Sequence, residues 1–366
     1  MKRPFTREHR EMPALPSARN GAEQSTKTTP ADTKIALAAM LDARRFDIDN
    51  PPPQAVTVFK LGDSTIATRG NVIGVQGKAK TAKTALLGAM IASTMEPDGD
   101  CLGIISQNPS SFAVIHFDTE QSPFDHHAII KRALRRAGKD RPPEWLRSYC
   151  ITDVPLLSRR ASMALELERG KEAHGGIHSA IIDGVGDLCA DLNDPAEAFE
   201  LIDYLHQLAI RFDTIIVCVL HENPGSDNGK MRGHLGSQLE RKAETNLRLE
   251  KNADGVTVVY SDRARHAHIP KEKGTCFKWC DEAQMHVSTS TARDAKFEAR
   301  KEELRTFAEE IFRKVKDPFG FSWAEMHRKI EKLAKLKPDG ARKRFQSMLK
   351  MNVITKTLEG KYLLSK

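Results

Sequence analysis

A stretch rich in lysine and threonine follows an apolar run in the first third of the sequence. It reads GKAKTAKT from Gly77 to Thr84 and matches the phosphate-loop pattern G-x-x-x-x-G-K-[ST], except that Ala82 stands in place of the second glycine. In such a loop, backbone N–H groups surround the phosphates of a nucleotide, Lys83 reaches the β- and γ-phosphates, and the hydroxyl of Thr84 holds Mg²⁺. The chemistry indicated is phosphate binding with magnesium, and the alternative is an ordinary lysine-rich turn.

The residues on either side favour the phosphate loop. An apolar run, NVIGVQ, enters the stretch and a helical pattern, TALLGAMIAS, leaves it, as a strand–loop–helix phosphate site requires. Gly77 suits the tight turn, and we expect Ala82 to adopt near-helical geometry, in which alanine is tolerated. Ala82 nevertheless puts nucleotide affinity at risk, which the charges of Lys78 and Lys80 would offset. The predicted nucleotide-binding residues of the loop are Gly77, Lys78, Ala79, Lys80, Thr81, Ala82, Lys83 and Thr84.

Carboxylates stand at the ends of two other apolar runs. Asp183 ends SAIIDG, and Asp118 and Glu120 lie at the end of AVIHFDTEQ. Because ligands of parallel α/β sheets bind beyond the carboxyl ends of the strands, these groups would meet the loop at one sheet edge. Asp183 would then hold the Mg²⁺ shell and Glu120 would activate water. Carboxylates at strand ends are common without any nucleotide site, but three strand ends carrying Lys-Thr, Glu and Asp favour a phosphate site.

The pattern of the whole chain predicts an α/β fold. Apolar runs without polar alternation indicate strands buried on both faces, and they alternate with helical patterns that begin at Ser122-Pro123 and Asp194-Pro195. This predicts a mostly parallel central sheet covered by helices on both sides, which QLERKAETNLRLEK and GVTVVYSDRARH would extend as hairpin strands. We predict three segments: a disordered basic segment (1–33), an ATPase-like α/β domain (34–290) and a basic C-terminal domain (291–366).

Charge is concentrated at the C-terminal end. The chain of 366 residues carries a net charge of +8, and from Arg293 onward 20 Lys and Arg face 11 Asp and Glu, a net charge of +9. A basic module on a nearly neutral body indicates contact with nucleic acid, although a solvated helical surface would have the same composition. Six scattered cysteines do not form a disulfide framework, and no apolar run is long enough to cross a membrane, so a cytoplasmic protein is expected.

These motifs resemble those of the RecA-like ATPases, and among them the hexameric plasmid-replication helicases of the RepA type. The resemblance runs from about Arg45 to Trp279. It implies that Lys83 and Thr84 are the Walker A residues, that Asp183 is the Walker B aspartate and that Glu120 is the catalytic base. It also implies that His221, at the end of CVLH, is a sensor that couples the γ-phosphate to DNA-binding loops; a partly buried histidine at a strand end is the alternative.

The resemblance also extends to DNA and to neighbouring subunits. The segment PGSDNGKMRGHLGSQLE (224–240) corresponds to a mobile loop that contacts single-stranded DNA, with Lys230 and Arg232 on its phosphates; a glycine-rich surface loop is the alternative. Arg263 and Arg265, in SDRARH, correspond to a basic-x-basic pair that reaches the ATP of the next subunit. The alternative is that they are two exposed arginines on a strand, which would give the same sequence pattern.

The C-terminal segment resembles a winged helix. WAEMHRKIEKLA predicts one helix, ARKRFQSMLK a second, and MNVITKTLEGKYLL two short strands of a wing. The basic residues Arg342, Lys343 and Arg344 are expected to face outward, toward duplex DNA. A protein-docking role is the alternative.

Together these features predict an ATP- and Mg²⁺-dependent DNA motor. The expected form is a homo-oligomer, a hexameric ring, that translocates on single-stranded DNA as the replicative helicase of a mobile genetic element. The alternative is a DNA-binding regulator or replication loader in which ATP only switches assembly. A recombinase-like filament is a weaker alternative, because residues 1–45 contain no convincing polymerisation segment.

Overall fold

The structure is a computed structural model that describes residues 30–223, 229–266, 268–289, 292–313, 320–357 and 359–365; for residues 30–32 and 292–300 it describes the backbone. Its helices and strands, in chain order, are α1 (Pro30–Asp42), β1 (Thr57–Leu61), β2 (Ser64–Thr68), β3 (Asn71–Gly77), α2 (Lys83–Met95), β4 (Ile104–Ile105), β5 (Ala113–Asp118), α3 (Pro123–Arg136), β6 (Leu146–Cys150), α4 (Leu156–His174), β7 (Ile177–Asp183), α5 (Pro195–Arg211), β8 (Ile215–His221), α6 (Gly233–Lys242), β9 (Thr245–Lys251), β10 (Thr257–Ala264), β11 (Thr275–Cys280), β12 (Met285–Thr289), α7 (Ala292–Arg313), α8 (Trp323–Ala334), α9 (Pro338–Lys350), β13 (Ile354–Lys356) and β14 (Tyr362–Leu364).

Contacts divide the chain between Gln54 and Ala55. In the first unit, α1 exposes apolar side chains such as Ile35 and Leu41. Most of the predicted disordered segment, residues 1–29, lies outside the described residues, and residues 30–33 begin α1. The boundaries at 33/34 and 290/291 stay predictions. Among the described helices, none has the length and apolarity to cross a bilayer.

The second unit is built on a nine-stranded sheet with the strand order β12-β11-β10-β9-β3-β8-β7-β5-β6. The strands from β9 to β6 in this order run parallel, and β10 to β12 continue the sheet as antiparallel neighbours. The predicted α/β class with a mostly parallel central sheet is therefore confirmed. The hairpin extension is confirmed for β9 and β10, whereas the QLERK residues before β9 belong to α6.

Both faces of this sheet are buried, which explains why its strands lack polar alternation. Along β8, Ile215, Val217 and Val219 join one apolar cluster, and the residues between them join a second. The first cluster includes residues of α2 and α3, and the second includes residues of α4, α5 and α6. The predicted helix starts are also present: Ser122 accepts a hydrogen bond from the N–H of Asp125, and Asp194 caps α5.

The C-terminal elements enclose a separate apolar cluster. It includes Leu304 of α7, Met326 of α8, Phe345 of α9 and Tyr362 of β14. Helix α8 begins with a reciprocal capping box, and β13 pairs with β14 as an antiparallel hairpin. This order of helix, helix and hairpin agrees with the elements expected of a winged helix; its role stays a prediction.

Candidate active site

The lysine-rich stretch forms a compact loop between β3 and α2. A Cβ on Gly77 would lie 2.6 Å from Thr81 Oγ1 and 2.8 Å from the carbonyl oxygen of Leu249, so only glycine fits there without displacing backbone. The hydroxyl of Thr81 donates to the carbonyl oxygen of Lys78 at 2.9 Å and closes the loop. Lys78, Ala79 and Lys80 are exposed and lie just before the N-terminus of α2, where an anion would bind.

The conformation of Ala82 differs from the prediction. We expected near-helical geometry, but Ala82 precedes α2 with φ +68° and ψ +35°, in the left-handed region. An L-residue there brings its Cβ close to backbone oxygen, at a cost of roughly 1–2 kcal/mol, which glycine avoids. Alanine at position 82, where the phosphate-loop pattern has glycine, is therefore strained. The structure offers no reason for alanine at this position.

Lys83, the first residue of α2, directs its ammonium group into this loop. Its Nζ lies 3.0 Å from the carbonyl oxygen of Gly77, 3.1 Å from that of Lys78 and 3.0 Å from Nδ1 of His221. An ammonium group only donates, so Nδ1 of His221 accepts and the ring proton lies on Nε2. Burial lowers the pKa of Lys83, and the nearby Asp183 and Glu120 oppose this shift.

Thr84 and Asp183 form the second part of the site. The hydroxyl of Thr84 donates to Asp183 Oδ2 at 3.1 Å. Burial raises the pKa of Asp183 to about 7, and the charges of Glu120 and Asp118 add to this shift. The strand register accounts for the crowding, because Asp118 of β5 lies directly beside Asp183 of β7. Three carboxylates thus converge, and the charge of Lys83 offsets their mutual repulsion only in part.

The donor set fits Mg²⁺ better than a metal held by protein ligands alone. In the part of the chain that the structure describes, no group of three or more His, Cys, Asp and Glu side chains could hold a metal ion. Mg²⁺ is commonly held by one or two protein oxygens together with phosphate and water oxygens. Thr84 Oγ1 and Asp183 Oδ2 supply such a pair, and the raised pKa of Asp183 reflects a carboxylate that a cation would stabilise in its charged form.

Glu120 lies in the turn after β5, beside His221, the predicted sensor. Its Oε2 is 3.6 Å from Nε2 of His221, and both side chains are about one-third exposed. A Cβ on Gly184 would lie 2.4 Å from Glu120 Oε1, so glycine leaves this carboxylate room to approach Asp183. Asp118, by contrast, is fully buried and accepts hydrogen bonds from the N–H groups of Glu120 and Gln121 at 3.1 and 2.9 Å. Asp118 stabilises the turn through these hydrogen bonds, and the partly exposed Glu120 can contact a ligand.

The two predicted trans arginines lie at the other edge of the sheet. Gly77, at the loop, pairs with Leu249 near the end of β9, whereas Ala264 pairs with Thr245 at its start. Arg263 Nη1 lies 3.9 Å from Glu240 Oε2, and Arg265 Nη2 donates to the carbonyl oxygen of Lys242 at 2.7 Å. Neither arginine can reach the Lys83 site of its own chain.

The predicted DNA loop is only partly a loop. Residues 224–228, including Gly225, lie outside the described residues, and residues 233–242 form α6 rather than a mobile segment. Lys230 and Arg232 are exposed, as predicted. The backbone N–H of Arg232 donates to the carbonyl oxygen of His221 at 2.9 Å, so the segment is tied directly to the predicted sensor.

The C-terminal basic cluster is smaller than predicted. Arg342 and Lys343 are exposed on α9. Arg344 does not face outward: its guanidinium lies 4.1 Å from the ring centroid of Phe307 and donates to Glu303 at 2.9 Å. Arg344 lies one helical turn from the buried Ala341 and Met348, so it belongs to the packed side of α9 and contacts α7.

The structure adds two features that the sequence did not reveal. A cavity of about 170 Å³ beside Thr84 is lined by Arg132 and Arg136 of α3 and by His286 of β12, among others. Residues 132 and 136 are one helical turn apart, but nothing in the sequence links them to a histidine about 150 positions away. The second feature is His126, which bonds to Asp118 and is considered below.

Comparison with known proteins provides limited information. No family model matches the sequence, and no curated protein matches it. Among solved structures, the chain is similar to a KaiC-like protein from the hyperthermophilic archaeon Pyrococcus horikoshii OT3, with 14% identity and a TM-score of 0.42, over 61% of this chain and 91% of the other. The interpretation of the site therefore depends on its own residues, and the RepA-type resemblance stays a prediction.

Proposed function

We propose that this chain binds ATP with Mg²⁺ and hydrolyses its terminal phosphate. The observation that carries the proposal is the meeting of Lys83, the Thr84–Asp183 pair and Glu120 at one sheet edge, at the N-terminus of α2. Phosphate oxygens would replace the carbonyl oxygens that Lys83 now contacts. The cavity beside Thr84 offers room for the nucleoside on the same side of the loop.

Each side chain has a separate role in this proposal. Thr84 and Asp183 hold Mg²⁺, which neutralises charge on the phosphates. Glu120 accepts the proton of the attacking water, because it is about one-third exposed whereas Asp118 and Asp183 are buried. His221 lies between Lys83 and Glu120 and therefore senses whether a γ-phosphate occupies the loop.

We further propose that the active form is a homo-oligomeric ring acting on single-stranded DNA. Arg263 and Arg265 lie away from the site of their own chain, so they can complete only the site of another copy. Arg232, which is exposed like Lys230, donates its backbone N–H to the carbonyl oxygen of His221, and this supports coupling between phosphate state and DNA contact. The exposed Arg342 and Lys343 support a further contact with duplex DNA. A replicative helicase of a mobile element is the function we favour.

The first test is ATP hydrolysis by the purified protein, alone and with single-stranded or double-stranded DNA. We expect Mg²⁺-dependent hydrolysis that single strands stimulate, that Lys83→Ala abolishes and that Lys60→Ala, an exposed lysine on β1, leaves unchanged. Hydrolysis that ignores single strands would favour an ATP-switched regulator or loader. No nucleotide binding by the wild-type protein would refute the proposal.

A second test separates a motor from a switch. Lys230→Ala and Arg232→Ala should reduce the stimulation by single strands and any DNA unwinding, while hydrolysis without DNA stays near the wild-type rate. Unwinding that survives both changes would contradict the assignment of this segment to DNA.

A further inference from the structure

A chain of polar side chains leads from the interior of the sheet to the turn that carries Glu120. Nδ1 of His126 lies 3.2 Å from Asp118 Oδ2, and Nε2 of His126 lies 3.1 Å from Ser148 Oγ. The same hydroxyl lies 2.9 Å from Nδ1 of His116, and the two imidazole rings are stacked with centroids 5.5 Å apart. Three elements, α3, β5 and β6, thus contribute to one hydrogen-bonded series.

The donor and the acceptor can be assigned for the hydrogen bond between His126 and Asp118, at the outer end of this series. Asp118 is fully buried; burial alone would raise its pKa, but the hydrogen bonds from His126 and the backbone more than offset this, so its pKa lies below its ordinary value. An ionised carboxylate only accepts, so Nδ1–H of His126 is the donor to Asp118. The other oxygen of Asp118 receives the N–H groups of Glu120 and Gln121.

We infer that His126 is a positioning residue for the hydrolysis proposed above: by donating to Asp118, it holds the turn that places Glu120. The inference depends on the proposed function, since positioning matters only if Glu120 accepts the proton. The inner end of the series fixes His126 itself. His116 is fully buried, and burial lowers its pKa to about 4, so its neutral ring provides a stable partner for Ser148.

Two other side-chain hydrogen bonds to the turn act on Gln121 and not on Asp118. The turn is held from its other side by Thr152, whose hydroxyl donates to the carbonyl oxygen of Gln121 at 2.7 Å. This hydrogen bond of Thr152 fixes the carbonyl of Gln121 and does not involve the carboxylate of Asp118. If His126 is removed, the buried carboxylate loses its only side-chain donor among the described residues and is free to rotate away from the N–H of Glu120.

The experiment compares two substitutions, each of which replaces only one of the two ring nitrogens of His126 with an amide nitrogen. In His126→Asn, the amide nitrogen takes the place of Nδ1 and can still donate to Asp118; in His126→Gln, it takes the place of Nε2 and reaches only Ser148. We expect His126→Gln and His126→Ala to lower kcat for ATP about tenfold or more while KM changes less than about twofold, and His126→Asn to recover most of kcat. His127→Ala, an exposed neighbour on α3, is the matched control.

Several outcomes would overturn the inference. Wild-type kcat in all three variants would show that the bond to Asp118 is dispensable. Equal loss in all three, His126→Asn included, would show that the ring acts through packing and not through its Nδ1 donor. If His126→Gln does not fold, Ser148→Ala, which loosens the ring but leaves the bond to Asp118 possible, should show a smaller loss of kcat than His126→Ala; an equal or larger loss would contradict the inference. The wild-type rate and the binding of a fluorescent nucleotide, measured first, reveal a failure of the proposed function separately.

Discussion

Replacing Asp183 by asparagine should stabilise the protein in the absence of nucleotide and Mg²⁺, and it should abolish ATP hydrolysis. In the folded state, burial raises the pKa of Asp183 to about 7 from its ordinary value of 3.8. The folded protein therefore binds this proton more tightly than the unfolded chain, so the ionised carboxylate opposes folding at neutral and alkaline pH. Asparagine removes that charge and can still accept the hydrogen bond from Thr84.

The size of the effect follows from the two pKa values. A difference of about three pKa units corresponds to about 4 kcal/mol at pH 8, where both states are ionised. At pH 5 the folded carboxyl is protonated and the unfolded one is not, so the penalty is about 2 kcal/mol. Asp183→Asn should therefore gain about 4 kcal/mol over the wild type at pH 8 and about half of that at pH 5.

The assay is urea unfolding of both proteins at pH 8 and pH 5, first without and then with Mg²⁺ and nucleotide. Both proteins contain the same histidines, so the effect of histidine titration cancels in the difference between their free energies of unfolding. Mg²⁺ with nucleotide should stabilise the wild type and have little effect on Asp183→Asn. A variant that is no more stable than the wild type at pH 8, or a gain that does not shrink at pH 5, would refute the reasoning about this carboxylate.

Three further predictions concern the loop, the base and the subunit contact. Ala82→Gly should raise the free energy of unfolding by about 1 kcal/mol, because glycine adopts without strain the left-handed φ of +68° that alanine has in this structure; urea unfolding measures this, and unchanged stability would mean that the loop holds Ala82 without strain. Glu120→Gln should keep ATP binding and lower kcat by 100-fold or more, and retained turnover would assign the base to another group. Arg263→Ala and Lys83→Ala should each be inactive alone, whereas a mixture should recover part of the hydrolysis, because inactive Lys83→Ala subunits supply Arg263 to intact sites; a mixture as inactive as its parts would argue against a role in trans.

Local patterns of the sequence identified the elements that meet at the site. The run into Gly77, the helical pattern after Thr84 and the carboxylates that end two apolar runs all depend on residues close together in the chain. Parallel strands bring their carboxyl ends to one edge, so the proximity of Asp118 and Asp183 followed from the α/β pattern, and the register confirms it. The mostly parallel sheet was predictable for the same reason, since strands buried on both faces need no polar alternation.

Other features depended on contacts between residues far apart in the chain. Ala82 is left-handed because the closed loop imposes that turn, and its identity alone suggested ordinary helical geometry. Arg344 faces inward because α7 presents Phe307 and Glu303 to it. Hydrogen bonds among His116, His126 and Ser148 span three elements, and no spacing in the sequence records them.

Local sequence patterns determine where strands end and helices begin. They therefore showed which groups could bind phosphate and magnesium. Only the tertiary structure decided how these groups are held and which of them cannot meet within one chain. The predicted hairpin of β9 and β10 gave the antiparallel direction, but only the register showed that Ala264 pairs with Thr245 at the start of β9 while Gly77 pairs with Leu249 near its end. Register is fixed by pairing over the whole sheet, and it places Arg263 at the end of the sheet away from Lys83.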